Sequence, residues 1–327
     1  MAYPVGLACR ISLVLATAFA SATAWPQEYP NRPIRMIVPF AAGGATDLLA
    51  RELGQKLTER WHQQVVMDNR AGAGGIIGLD IGAKATPDGY TLVMCSSSTL
   101  AVGPALGTKL PYHPIKSFTP IAEAAIIPIV LVTHPTVPAR ALPELIQLAK
   151  MKPGQLAYGS NGVGTTTHIA GEVFKRLAGI DLVHVPYKGG GAAISDAIGG
   201  QIPLLFGAVS TPLPHIKAGK LRALGVTNLK RLRELPEVPT FAEVLPGFEV
   251  VQWFGVCGPA GMPRAIVSKL SGELVRIVDS FATNERILRA GLEPVSLAQE
   301  AYAAYVKAEF EKWSRLLKEM GIQGDLP

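Results

Sequence analysis

Cysteine is scarce in this chain. Three of 327 residues are Cys, and Cys9 falls in an N-terminal stretch that reads as a removable leader. Cys95 and Cys257 each lie in an apolar, strand-like run. Two buried thiols are the simpler reading. A disulfide is permitted outside the cytoplasm, but sequence alone does not show that the sulfurs meet. No His/Cys cluster has metal-ligand spacing, so neither a metal nor a cofactor is expected. Charge is sparse too. Charged residues make up 17% and hydrophobic ones 48%, which excludes a disordered chain. The net charge is +6, but the basic residues are scattered. The one short run, Lys230-Arg231-Leu232-Arg233, has no aromatic residue interleaved, so nucleic acid is not an expected partner. Beyond the leader no apolar run is long enough to cross a bilayer. The nearest, over 122–133, contains Glu123 and Pro128.

Enzyme signatures are also missing. A nucleophile elbow at Ser160 requires Gly two places earlier, where Tyr158 stands. Gly72, Gly74 and Gly78 are spaced one residue too long for the dinucleotide fingerprint, and no phosphate-binding G-x-x-x-x-G-K-[ST] occurs. His168 falls on the first turn of an expected helix, where packing or loop positioning is a simpler role than general base. No pair of carboxylates is marked out by spacing.

What is present begins with an address. Arg10 precedes an apolar run over 11–20, and Ala22-Thr23-Ala24 supplies a small-x-small cleavage site. The pattern predicts a secretory signal peptide over 1–24 and a mature chain starting near Trp25, exported to the periplasm. An uncleaved anchor is the alternative, but the run is too short and too rich in small residues for a good span.

The mature chain is organised around residues 35–47. Ile37 and Val38 suit a buried central strand. Ala41, Ala42, Gly43, Gly44 and Ala45 have almost no side chain, so a ligand can approach the backbone. Thr46 or Asp47 can cap the helix after it, whose free amides point back at the turn. Such a turn can hold a carboxylate or phosphate through main-chain amides and the helix dipole, although an ordinary βα connection looks the same. Strands near 65–67 and 90–95 alternate with helices over 48–61 and 76–85, giving βαβαβ. The third strand ends in Ser96-Ser97-Ser98-Thr99.

A second half repeats the plan. Strands are expected over 126–133, 154–158, 183–186, 203–206, 221–227 and 250–257, with helices over 142–151 and 169–177 and a helical tail over 266–277 and 299–320. The loop 159–168 reads Gly-Ser-Asn-Gly-Val-Gly-Thr-Thr-Thr-His, and Tyr187-Lys188-Gly189 ends another strand. Ligands of open α/β sheets bind at the carboxyl ends of strands. Two such halves facing each other would enclose a small molecule. One doubly wound sheet is the alternative.

The ordered motifs resemble those of the Bug-type (TctC-type) receptors, the extracytoplasmic solute-binding proteins of tripartite tricarboxylate transport systems. The carriers are Arg35 to Phe40 with Gly43-Gly44 and Thr46-Asp47, the runs 69–75 and 87–92, Gly164-Thr165 with His168, and the runs 183–189, 218–224, 236–240 and 246–248. They span essentially the whole mature chain.

The resemblance implies a Venus-flytrap fold. Two α/β lobes, each a mostly parallel sheet flanked by helices, are joined by crossing strands, with the ligand cleft between them. Lobe 1 is expected to comprise 25–124 and 247–327, and lobe 2 to comprise 125–246. It also implies a solute carboxylate gripped by Ala42, Gly43, Gly44, Ala45 and Thr46 from one lobe. Ser160, Gly164, Thr165 and Thr166 grip it from the other. Ser96, Ser97 and Ser98 lie at another strand end, and Tyr187, Lys188 and Gly189 at a fourth. Asp47 is a helix cap rather than a ligand group, since it would repel a carboxylate. The Thr165 hydroxyl is expected to donate to the carboxylate, with an N-cap as the alternative.

The chain departs from the family pattern twice. The first loop, often Pro-rich, reads Ala41-Ala42, and Gly207 stands where many members have an acid. The missing acid argues against amino acids and for an aromatic acid or a di- or tricarboxylate. The resemblance implies a monomer, not an enzyme, delivering its solute to permease subunits. A sensor partner is the alternative within it, and a secreted α/β hydrolase the alternative outside it.

Overall fold

A computed structural model describes residues 28–107 and 109–322. The expected signal peptide over 1–24 lies outside them. A compact body begins at Arg32 and contains every described strand and helix.

The strands in chain order are β1 (Ile34–Val38), β2 (Val65–Asn69), β3 (Thr91–Ser96), β4 (Phe118–Ile127), β5 (Ile129–Thr133), β6 (Ala157–Ser160), β7 (Val183–Pro186), β8 (Leu204–Ala208), β9 (Arg222–Val226), β10 (Gln252–Pro259) and β11 (Glu293–Pro294). The main helices are α1 (Ala45–Trp61), α2 (Ile76–Ala83), α3 (Leu142–Met151), α4 (Thr166–Ala178), α5 (Gly190–Ile198), α6 (Leu213–Lys217), α7 (Phe241–Val244), α8 (Arg264–Asp279), α9 (Phe281–Arg289) and α10 (Gln299–Glu319). A π-type turn, Ser98–Val102, succeeds β3.

Two sheets build two lobes. The first has the order β11-β4-β10-β3-β1-β2 and the second β7-β6-β8-β5-β9. Ile34, Met36, Ile37 and Val38 are fully buried in β1, as a strand covered on both faces requires. Helix α1 buries Leu49, Leu53 and Leu57, spaced one turn apart on one face. It stops at His62, whose left-handed backbone (φ 53°) lets its N–H donate to Thr58 O.

The strand directions differ from the expected mostly parallel sheets. β1 runs parallel to β2 and β3, and β6 to β7 and β8. However, β10 is antiparallel to both β3 and β4, and β5 to both β8 and β9. The reason is the crossing. The chain leaves the first sheet along β4, enters the second along β5 after Pro128, and returns along β10. Connecting strands must run against the βαβ strands they join. Val209 N–H donates to Pro128 O at 2.8 Å and Thr227 N–H to Ile129 O at 2.9 Å, which secures the crossing. Phe248, just past the expected lobe boundary, stacks on Phe241 of α7 with centroids 4.4 Å apart.

The same pairing corrects the expectation of two free thiols. Cys95 on β3 and Cys257 on β10 form a disulfide, with Cα atoms 6.0 Å apart. The antiparallel register sets Cys95 opposite Gly255 and Cys257 opposite Val93. The two cysteines are 162 residues apart in sequence, so only the return of β10 beside β3 brings them together.

Candidate functional site

The site begins with two helix ends. Gly44 is the N-cap of α1 and Gly189 the N-cap of α5, and neither helix has a side-chain cap. First-turn amides have no partner within their own helix, and they carry the positive end of the dipole. The two ends face each other. A methyl group on Gly44 would stand 3.9 Å from Gly190 N and 3.6 Å from Ala41 O. One on Gly191 would stand 3.0 Å from Ala42 O. Gly189 has φ 135°, which only glycine adopts readily. The small residues thus allow backbone from the two lobes to meet.

Between these ends lies a small pocket of about 10 Å³, lined by Gly44, Ala45, Thr46, Ser98, Asn161, Thr165, Gly190, Ala208 and Gln252 with the rings of Phe40 and Phe254. Two buried acceptors there, Asn161 Oδ1 and Gln252 Oε1, have no hydrogen-bond partner, and neither does Thr211 Oγ1 beside Gly190. A methyl on Gly190 would lie 3.4 Å from both Asn161 Oδ1 and Thr211 Oγ1. Buried polar groups without partners are costly, so the cluster is suited to a polar guest.

A larger cavity of about 380 Å³ adjoins the pocket. Phe40, Ser98 and Asn161 line both. Its walls are the loop Gly72 to Ile76, Thr99, Gly103, Pro104, Leu110, Tyr112, Gly162 to Gly164, and Pro186 to Lys188. Among the described residues, no Asp or Glu lines either space.

The structure sorts the expected site residues into groups. Gly44, Ala45, Thr46, Ser98 and Thr165 meet at the small pocket. Ser98, Gly164, Tyr187 and Lys188 line the larger cavity. Ala42 and Gly43 are exposed and line neither. Gly189 acts as the N-cap of α5. Ser96 turns inward, its amide donating to Thr99 Oγ1 at 3.1 Å. Ser160 lies behind the loop, with Oγ 2.7 Å from His184 Nε2. Ser97 and Thr166 face each other across the lobes, with hydroxyls 2.8 Å apart. Ser98 Oγ is 3.0 Å from the Thr166 hydroxyl and also accepts from Thr166 N–H at 3.0 Å.

Thr165 differs from the expected donor to a carboxylate. Its hydroxyl donates to Gly162 O at 2.6 Å and accepts from His168 N–H at 3.3 Å. It is the N-cap of α4, the alternative role, because a Thr just before a helix satisfies its own first turn. Gly207 is internal to β8, and Ala208 is the residue of that strand that lines the pocket.

The supporting groups are held electrically quiet. Asp47 accepts from Gly43 N–H at 3.0 Å, Arg51 Nε at 2.8 Å and Asn69 Nδ2 at 3.0 Å. Burial alone would raise its pKa, but hydrogen bonds from Arg51, Gly43 and Asn69 hold it below the ordinary carboxylate value. Asp47 therefore fixes the first loop and stays out of the pocket. Asn69 also donates to the main-chain Phe40 O at 3.0 Å, which fixes the backbone of the residue that lines both spaces. His168 and His184 stack with centroids 4.1 Å apart. Burial, with His168 alongside, pushes the His184 pKa down to about 3. Both rings are neutral props, and Gly164 N–H donates to His168 Nδ1 at 3.2 Å. Among the described residues no cluster of potential metal ligands occurs, and no helix is long and apolar enough to cross a membrane.

The model of the tripartite tricarboxylate transporter family receptor matches residues 49–322. The chain belongs to this receptor family. Three solved structures place its fold among binding proteins. Rpa4515 of R. palustris, solved with adipate, is 33% identical, with a TM-score of 0.88 over 90% of this chain and 99% of that one. The periplasmic binding protein BugD is 34% identical, with a TM-score of 0.86 over 90% and 99%. MatC of Rhodopseudomonas palustris, solved with malate, is 30% identical, with a TM-score of 0.84 over 88% and 100%.

Sequence reasoning passed over Asn161, Thr211 and Gln252. Asn161 lies inside the hydroxyl-rich loop, so a signal was present. Thr211 comes just after the carboxyl end of β8, where the strand-end rule would place ligand groups. Gln252 opens the returning strand, and nothing in its surroundings in sequence marks it.

Proposed function

We propose that this receptor captures a small carboxylate between its two lobes, taken as 25–124 with 247–327 and 125–246, and hands it to the membrane permease of a tripartite tricarboxylate-type system. It does so in the periplasm, as a monomer, after the residues over 1–24 are removed, and without chemistry on the solute. The observation that carries this reading is the meeting of two uncapped helix N-termini, those of α1 and α5, around a pocket with no acidic residue among the described ones. Convergent amides and dipoles favour an anion there. The adipate and malate in the structures of relatives support the same solute class.

Calorimetric titration of solute-stripped protein with carboxylates tests it, beside Gly44→Ala. The added methyl makes only ordinary contacts at 3.6 and 3.9 Å, so the fold is kept, but it fills a pocket of about 10 Å³. Affinity is expected to fall at least about tenfold, the equivalent of 1.4 kcal/mol. A folded Gly44→Ala that binds as tightly as the parent would refute the site.

A further inference from the structure

The cavity beside the carboxylate pocket has a chemical character of its own. Its walls include Phe40, Ile76, Pro104, Leu110, Tyr112 and Val163. Most side-chain hydroxyls that reach it are already engaged. Tyr112 Oη donates to Thr99 O at 3.3 Å, and Tyr187 Oη to Asp196 Oδ2 at 2.8 Å. Thr99 Oγ1 donates to Ser96 O at 3.2 Å, and Ser98 Oγ accepts from Thr166 N–H at 3.0 Å. These residues present carbon to the guest. Lys188 is the one charged side chain among the described lining residues, and it is exposed to solvent. Asn161 Oδ1 is the lining side-chain atom left buried without a partner, and Asn161 also borders the small pocket.

Polar capacity is thus gathered at one end of a continuous space, and a cavity of about 380 Å³ with mainly hydrocarbon walls extends from it. A hydroxyl or second carboxylate buried against Ile76, Leu110, Pro104 and Val163 would lose its water without gaining a side-chain partner. A hydrocarbon group there would be removed from water favourably.

We propose that the solute is a carboxylate carried on an unsubstituted hydrocarbon body of about the size of an aromatic ring or larger, and not a hydroxylated di- or tricarboxylate. This rests on the carboxylate reading above. It narrows that reading to one solute class, and it makes the wall formed by Val163, Leu110 and Ile76 the determinant of specificity.

Four acids decide it, titrated separately by calorimetry into solute-stripped protein: benzoate, 3-phenylpropionate, malate and citrate. Benzoate or 3-phenylpropionate is expected to bind at least tenfold more tightly than malate or citrate. Malate or citrate binding as tightly as the two aromatic acids overturns this inference and leaves the carboxylate reading standing. Failure of all four overturns both. Val163→Thr supplies the second arm, since it keeps the side-chain shape and adds a hydroxyl to the wall. It is expected to weaken 3-phenylpropionate binding about threefold or more while the melting temperature stays within error. Unchanged affinity in that folded variant removes Val163 from the specificity wall and overturns the assignment.

Discussion

The Thr165 hydroxyl holds three bonds, to Gly162 O, the His168 amide and the Thr167 hydroxyl. Thr165→Val removes all three and leaves the His168 amide short of a partner, while Gly162 O keeps its bonds from Thr165 N–H and Ser160 Oγ. Loss of a Thr cap costs about 1–2 kcal/mol. Equilibrium unfolding should therefore show a loss of that size, with solute affinity nearly unchanged. A tenfold loss of affinity at unchanged stability would reassign the hydroxyl to the solute. Asp47 carries a different signature. Its folded pKa is depressed, so its stabilising contribution is present above the unfolded value near 3.8 and is lost as pH falls through the folded one. Asp47→Asn should flatten the acid side of the stability curve, as urea melts between about pH 2 and 5 would read. The glycines of the first loop were legible in sequence because small residues between a strand and a helix imply close backbone approach. Gln252 was not, because what marks it is burial without a partner, a property of the assembled lobes.

Elements with a clear period were easily read. Helix α3 and strand β7 fall where the pattern over 142–151 and 183–186 places them. Strand β4 was recognised only at its end, since Pro120 and Glu123 interrupt its apolar pattern, and α9 was missed because its sequence is largely polar and charged. Glu123 is the informative residue of β4. It is buried, and its Oε1 has no partner. Burial, reinforced by Glu309 of α10, pushes its pKa up to about 8. Tyr302 and Tyr305 of α10 complete its titratable surroundings. A carboxyl raised from 4.5 to about 8 stays protonated in the fold while the unfolded chain ionises. Its contribution is thus fully present below about pH 4.5 and is lost as pH rises through about 8. Glu123→Gln should remove a decline on the order of 4 kcal/mol between pH 5 and 9. Parallel stability curves for the two proteins across that range would show that Glu123 ionises normally.

At the scale of the whole molecule, the lobes are held together by few polar bonds. Ser97 and Ser98, just after β3, meet Thr166 at the start of α4 in three contacts of 2.8 to 3.0 Å. All three groups would be hydrated if the lobes parted, so each contact contributes only about 1 kcal/mol to closure. The positive poles of the two uncapped helix ends face each other and disfavour closure until an anion lies between them, less so at α1, whose first turn already holds the ionised Asp47. A solute that neutralises both poles therefore binds the closed form better than the open one, which is the condition for it to drive closure. Small-angle scattering should show a more compact particle when solute is added, as in hinge-closing receptors. Ser98→Ala removes the Ser98 contacts without touching either helix end. It should reach the same compact profile, but at a solute concentration roughly thirtyfold higher. A profile that stays unchanged at saturating solute would mean that the lobes do not move. A variant that closes at the parent's concentration would mean that Ser98 takes no part in holding them.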